Sequence, residues 1–520
     1  MLFNSLDFVF FFPAVVALYF ALPYKYRWGL LLLASYLFYG LWEWSYLGLI
    51  WFSTTVDYFA ARAMSARGTK RERRPFLWAS LMANLGLLFF FKYFDFASTN
   101  VGGLADLLGW NIDTPTFNLL LPVGISFYTF QTLAYTIDVY RGKVEAEKHF
   151  GIFALYVTFF PQLVAGPIER SGNLLPQFFR KHDFSYDRTV SGLRLMAWGF
   201  FKKLVIADRV AVYVNILFAD LPSASSGQII VAGAFFAYQV YCDFSGYCDI
   251  AIGAARIMGY DLSQNFNRPY FATSTAELWR RWHMTLVDWF RDYVYFPLGG
   301  SRGRIKAFRN VLIVFFLTGI WHGASWTFAI WGVLNGLIII ASVTTRKWRD
   351  NNWRWIEKTL TGQTAPMRRR KPGTRAIPAP SPAPVAARGF ALRPTLGLIR
   401  KVRYVTSIIG TFGLFYVTGT WFRAQSVSDG LSVYITWAKT PWEGFGAWMV
   451  EGFTPAMMVI SISMILLLES VHVIQERGHS ISGLLAKMPT ALRWTLYWGL
   501  LFIILFFGVF DNEQFIYFQF

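Results

Sequence analysis

Apolar runs separated by short polar breaks recur along the whole chain, near residues 28–49, 50–61, 76–97, 117–139, 150–166, 190–219, 228–260, 308–320, 324–344, 402–422, 453–474 and 492–510. A further run, MLFNSLDFVFFFPAVVALYFALP, precedes them; it has neither a basic leader nor a small-residue cleavage site and reads as a retained span. With about 20 residues needed per crossing, the pattern predicts an all-α polytopic membrane protein of roughly ten to twelve transmembrane helices.

Two stretches depart from simple spans. FPQLVAGPIERSGNLLP, within 150–176, carries Pro161, Gly166 and Pro167, which no single helix accommodates. It is either a surface loop or a re-entrant segment shielded by protein. ELWRRWHMTLVDWFRDYVY, residues 277–295, places Arg280, Arg281, Asp288, Arg291 and Asp292 within about 60° of Glu277 on a helical wheel, opposite Leu278, Trp282, Leu286, Trp289 and Tyr293. That predicts a continuous amphipathic helix lying in the interface or lining an aqueous vestibule, with Glu277 and Arg281 paired one turn apart.

Composition agrees with the pattern. Of 520 residues 55% are hydrophobic, only 15% are charged and 19% are aromatic, which excludes an ordinary soluble enzyme. The net charge of +19 would suggest nucleic acid, but its placement does not. Six basic residues and one acid lie between 62 and 74, and fifteen basics and two acids between 346 and 403, so these two linkers carry nearly all of it. Basic linkers between apolar runs mark cytoplasmic loops, and Lys25 and Arg27 after the first span place the N-terminus outside the cytoplasm. The lipid bilayer is the expected partner, and no nucleic acid is.

Residues 362–394 are rich in Pro, Ala and Arg without periodicity and read as a cytoplasmic linker. They separate a membrane core at 1–361 from C-terminal helices at 395–520 that belong to the same domain. No internal repeat is visible, which argues against a transporter built of repeats.

Few residues offer chemistry. Cys242 and Cys248 form neither a metal spacing nor a disulfide framework, and no metal site is expected. His283 and Asp288 make an H-x4-D string, yet on one helix five residues separate them by about 140°, too far for a base and its orienter. His283 therefore reads as a packing or supporting residue, with catalysis as the alternative. His322 differs: it stands in VLIVFFLTGIWHGASWTFAIWGVLNGLIII with no charged neighbour for a dozen residues on either side. An ionisable group at that depth is a functional hypothesis by default, and a neutral imidazole suits removal of a hydroxyl proton. Gly319 and Gly323 flank it, allowing a helix break or a close approach.

The strings LLLPVGISFYTFQTLAYTIDVYRG (119–142), PQLVAGPIER (161–170), YCDFSGYCDIAIG (241–253), NFNRPYFATSTAELWRRWHMTLVDWFRDYVYFPLGG (265–300), LTGIWHGASWTFAIWG (317–332) and FIYFQF (515–520) resemble the membrane-bound O-acyltransferases, in particular their bacterial, alginate O-acetyltransferase-like branch. The resemblance implies helices around a central funnel in the bacterial inner membrane, with His322 catalytic and His283 a second candidate near the channel. It implies no bound cofactor, an acyl-CoA (acetyl-CoA) or acyl-carrier-protein thioester as donor substrate, and a secreted polysaccharide hydroxyl as acceptor. An extracytoplasmic acyltransferase or polysaccharide-modifying protein, and an acyl carrier protein, are the protein partners it suggests. Trp321, Trp326 and Trp331 would wall the site against water or simply pack. Arg280, Arg281 and Arg291 would meet donor phosphates or anionic lipid. Two departures from the branch stand out: Asn335 occupies a place where a second histidine is common, and Cys248 one where serine is common.

Overall fold

The computed structural model describes residues 1–361, 394–439, 448–510 and Ile516; the expected linker at 362–394, save its last residue, and most of the FIYFQF string lie outside the described residues. The described residues fold into helices without a strand. Among the described residues seven helices are long and apolar enough to cross a membrane: Lys70–Leu107, Ser226–Met258, Arg304–His322, Trp326–Thr344, Gly397–Arg423, Pro455–Glu476 and Thr490–Phe507.

That is fewer than the ten to twelve that the apolar runs suggest, because several apolar helices fall short of a full crossing in length. Ile125–Arg141 has 17 residues, 13 of them buried, so it is surrounded by protein and need not present a lipid-soluble surface. Tyr24–Gly40, also 17 residues, and Leu6–Ala21, 16 residues, fall short in length. Hydrophobic runs in the sequence report burial, and burial by protein looks the same as burial by lipid.

The centre is Ser226–Met258, buried along most of its 33 residues and started by a reciprocal capping box between Ser225 and Gln228. The helical stretch 186–219 runs against it so closely that a Cβ on Gly199 would lie 2.6 Å from the Gly246 carbonyl oxygen. Buried charge ties the same elements together. Lys203 contacts Asp208 and Asp243 at 2.8 Å each, and Lys202 contacts Asp249 at 2.7 Å. Asp243 also accepts the Ile516 amide at 2.7 Å, fastening the end of the chain to the central helix.

The PQLVAGPIER segment is not a surface loop. Residues 152–169 are buried without exception, and the backbone that leaves the helix there is satisfied internally, for example by Ile168 N–H donating to Thr285 Oγ1 at 3.1 Å. Of the two readings its prolines leave open, the protein-shielded one is observed.

The amphipathic stretch is not one helix. Thr275–Arg281 ends at Trp282 in extended conformation, His283 takes a left-handed conformation at φ 41°, and Met284–Phe290 then starts afresh. The wheel assumed an unbroken 100° step, and the reversal at His283 cancels it.

Candidate active site

His322 is the last residue of Arg304–His322, and the extended Gly323 (φ −161°, ψ 149°) leads through Ser325 into Trp326–Thr344. The two helices form a hairpin whose backbones touch. A Cβ on Gly319 would lie 2.2 Å from the Phe328 carbonyl oxygen, and one on Gly332 would lie 2.3 Å from that of Phe315. Only glycine permits this crossing, which holds the turn tight and leaves His322 4% exposed. Gly319 thus serves close helix approach, and Gly323, where the chain leaves the helix, is a close approach too, since a Cβ there would lie 2.2 Å from the Phe328 ring.

Aromatic rings enclose the imidazole. Trp321 and Phe422 lie 5.0 Å away between ring centroids and Trp331 5.3 Å. His322 lines two cavities. One, of about 310 Å³, is bounded by Lys92, Trp42, the segment 120–127, Val164 and Trp321. The other is a slot of about 20 Å³ between Phe236, Trp282, Trp331, Phe415, Gly419 and Phe422. His322 is the one residue common to both linings.

His283 lies behind Trp321, whose ring stands 5.9 Å from it. It is 1% exposed and lines neither cavity. Asn265 Oδ1 accepts the Thr285 amide at 3.2 Å, which fixes the orientation of the carboxamide. His283 Nδ1, 3.1 Å from the same oxygen, is therefore the protonated nitrogen, and Nε2 is left as an acceptor. Asn265 Nδ2 reaches Cys248 Sγ at 3.4 Å, so this buried thiol belongs to the scaffold of His283. Asp288 pairs with Arg291 and takes no part.

The other anticipated residues divide. Trp321 and Trp331 wall His322 as expected, but Trp326 turns away, 54% exposed with its indole N–H donating to Asn100 Oδ1 at 2.8 Å. Asn335 is buried and returns its amide to the Trp331 carbonyl at 2.8 Å, lining neither cavity. Arg281 pairs with Glu277 at 2.8 Å and with Glu476 at 2.7 Å, and Arg268 joins Glu476 at 2.7 Å. Burial pushes the Glu277 carboxyl up, but hydrogen bonds from Thr273 and the Arg281 pair outweigh it and hold it below the ordinary value. Arg280 instead lines a third cavity, of about 630 Å³, with Arg346, Arg349 and Arg403. Arg291 is not part of that cluster; it serves Asp288 and Asp292.

Sequence reasoning missed Lys92, whose ammonium donates to the Trp321 carbonyl at 2.8 Å and the His322 carbonyl at 3.0 Å. The signal was present, because Lys92 is a lone cation in the apolar run LLFFFKYF and the rule that singles out His322 applies to it equally. It also missed Phe422 and Asn265, for which no local pattern exists. Among the described residues no group of three or more His, Cys, Asp or Glu is placed to hold a metal ion.

A buried histidine in a glycine-tight turn between helices, lining two cavities, is the candidate site, and comparison with known proteins gives the class of the chain. Residues 149–359 match the membrane-bound O-acyltransferase family. The chain is 38% identical over 370 residues to a protein described as "probable alginate O-acetylase AlgI" from Azotobacter vinelandii, covering 70% of each. It is 39% identical over 336 residues to the peptidoglycan O-acetyltransferase of Helicobacter pylori, covering 59% of this chain and 63% of that one. It is 27% identical over 256 residues to the teichoic acid D-alanyltransferase of Bacillus subtilis, covering 46% and 64%. The chain belongs to the membrane-bound O-acyltransferase family and is a multi-pass acyltransferase.

Proposed function

We propose that this protein moves an acetyl group from a cytoplasmic thioester across the membrane to a hydroxyl of a secreted polysaccharide, directly or through an extracytoplasmic protein that modifies it. The observation that carries the reading is His322, shared by two cavities that otherwise have no residue in common.

The donor side is the basic one. Arg403 and Ser407 of the helix Pro394–Arg423 line the arginine cavity, and Ser407, Gly410, Thr411 and Leu414 line a groove of about 380 Å³ beside it. Phe415, Gly419 and Phe422 line the slot at His322. These positions recur every three or four residues, so one helix face leads from the arginines to the imidazole. Arginine forks suit the phosphates of coenzyme A or of a carrier protein's prosthetic arm, and the apolar slot suits the acyl end.

Orientation follows from charge. Arg304 begins the helix that ends at His322, about 27 Å away at 1.5 Å per residue, and the helix returning from Trp326 leads to Arg346. Basic residues at the two hairpin ends opposite His322 favour the cytoplasm, which puts His322 toward the outer leaflet, and Lys25 and Arg27 after the first apolar helix put the N-terminus outside. His322 takes the acceptor hydroxyl proton as the oxygen attacks the thioester carbonyl; the carbon–sulfur bond breaks and the imidazolium returns the proton to the leaving thiolate. Trp321, Trp331 and Phe422 keep water from the thioester.

D-alanyl transfer is the second reading, favoured by the B. subtilis relative. Mass spectrometry of cell-surface glycans from cells with the wild-type protein, with His322→Ala and without the gene tests both. Loss of O-acetyl groups in the last two is expected; loss of D-alanyl ester selects the second reading, and unchanged acylation overturns both.

A further inference from the structure

The last carbonyls of an α-helix have no partner within the helix, and in a buried setting leaving them without one is costly. At the end of Arg304–His322 this need is met by two neighbouring residues of another helix. Lys92 Nζ donates to the carbonyls of Trp321 at 2.8 Å and His322 at 3.0 Å, and Tyr93 Oη donates to that of Ile320 at 3.0 Å. Three consecutive carbonyls, ending at the histidine itself, are capped from one place 227–230 residues away.

Regular helix geometry does not bring successive residues to one target, because they diverge by about 100°. The helix Lys70–Leu107 widens into a π-helical turn at Phe89–Tyr93, and Lys92 and Tyr93 stand at its end. Such turns are rare and concentrate at functional sites. Lys92 lines the 310 Å³ cavity beside His322 as well, so the clamp is part of the chamber wall.

We infer that Lys92, supported by Tyr93, is a positioning residue that clamps the end of the His322 helix and so aims the imidazole into the chamber. This rests on His322 being the catalytic base. A side chain that holds the carbonyls on either side of the His322 α-carbon limits how far the imidazole can swing, and acyl transfer tolerates little misplacement.

The test uses full-length protein in membranes that contain the acceptor, with a radiolabelled acetyl thioester as donor, measuring kcat, donor KM and the melting temperature of the purified variants. Lys92→Met is expected to lower kcat about 100-fold with donor KM near wild type, beside a lowered melting temperature from the two carbonyls it leaves without a donor. Lys92→Arg, whose guanidinium can still reach two carbonyls, is expected to recover to within about tenfold of wild type. Tyr93→Phe, which removes one bond, is expected to lower kcat about fivefold.

Folded Lys92→Met with wild-type kcat overturns the inference. So does a lowered melting temperature with kcat near wild type, or a loss that appears as raised donor KM alone, the marks of a merely stabilising contact. Should Lys92→Met fail to fold, folded Tyr93→Phe with wild-type kcat overturns it. His322→Ala separates the two levels: an inactive His322→Ala beside a fully active Lys92→Met sinks only the clamp, whereas an active His322→Ala sinks the catalytic reading and the clamp with it.

Discussion

The rings of His322 and Phe422 lie 5.0 Å apart, although one hundred residues and the most basic stretch of the chain separate them in sequence. Phe422 also meets Phe328 at 4.9 Å and Trp331 at 5.2 Å, so the helix Pro394–Arg423 supplies a wall of the site. Phe422→Ala should therefore admit water where the thioester carbonyl is held. We expect release of free thiol to rise about tenfold relative to acylated acceptor, while thiol release in His322→Ala falls. Counting both products in one assay checks this, and an unchanged ratio refutes the wall.

His283 and His322 flank Trp321 but have different surroundings. His283 makes its contact through Nδ1 to Asn265 and lines neither cavity. His283→Ala should lower transfer less than His322→Ala, by about tenfold, through movement of Trp321. Asn265→Leu, which strips partners from His283 and Thr285, should destabilise the protein by about 2 kcal/mol, read as a lowered melting temperature.

Glu476 holds Arg268 and Arg281 at 2.7 Å each, fastening the helix Pro455–Glu476 to the segment that carries His283. Glu476→Ala should cost about 2 kcal/mol, because Arg268 loses its carboxylate partner and Arg281 is left with Glu277 alone. Glu277 adds a pH dependence. Its folded carboxyl lies below the ordinary value, so its contribution is complete above the ordinary carboxylate range and is lost as pH falls through the folded value. Melting temperatures of wild type and Glu277→Gln should converge as the pH is lowered from neutral toward 3.

Arg280, Arg346, Arg349 and Arg403 share one cavity. Arg349→Glu should raise the donor KM about tenfold and leave kcat little changed, and added salt should raise the wild-type KM in the same direction. A change in kcat alone would move the arginines out of donor binding.

Orientation is open to direct labelling, since the two native cysteines, Cys242 and Cys248, are buried. Ser301→Cys, in the exposed basic loop before Arg304, should resist an impermeant thiol reagent in intact cells, and Asn111→Cys, beyond Leu107, should react. The reverse pattern overturns the orientation.

The sequence by itself determined the helical membrane class, the family and the prominence of His322, because each is written in local signals: apolar runs, contiguous motifs and one ionisable group without charged neighbours. The glycines flanking His322 were legible too, although only the hairpin separates the close crossing at Gly319 from the exit at Gly323. The tertiary structure alone decided the rest. Periodicity assumes a regular helix, so it could register neither the left-handed turn at His283, which breaks the amphipathic helix, nor the π-helical turn that brings Lys92 and Tyr93 together. Apolar character records burial without naming what covers a residue, so Trp321, Trp326 and Trp331 read alike until packing turned Trp326 outward. Contacts between segments hundreds of residues apart, such as Lys92 with His322 and Arg281 with Glu476, depend on how helices cross, and no local pattern encodes that crossing.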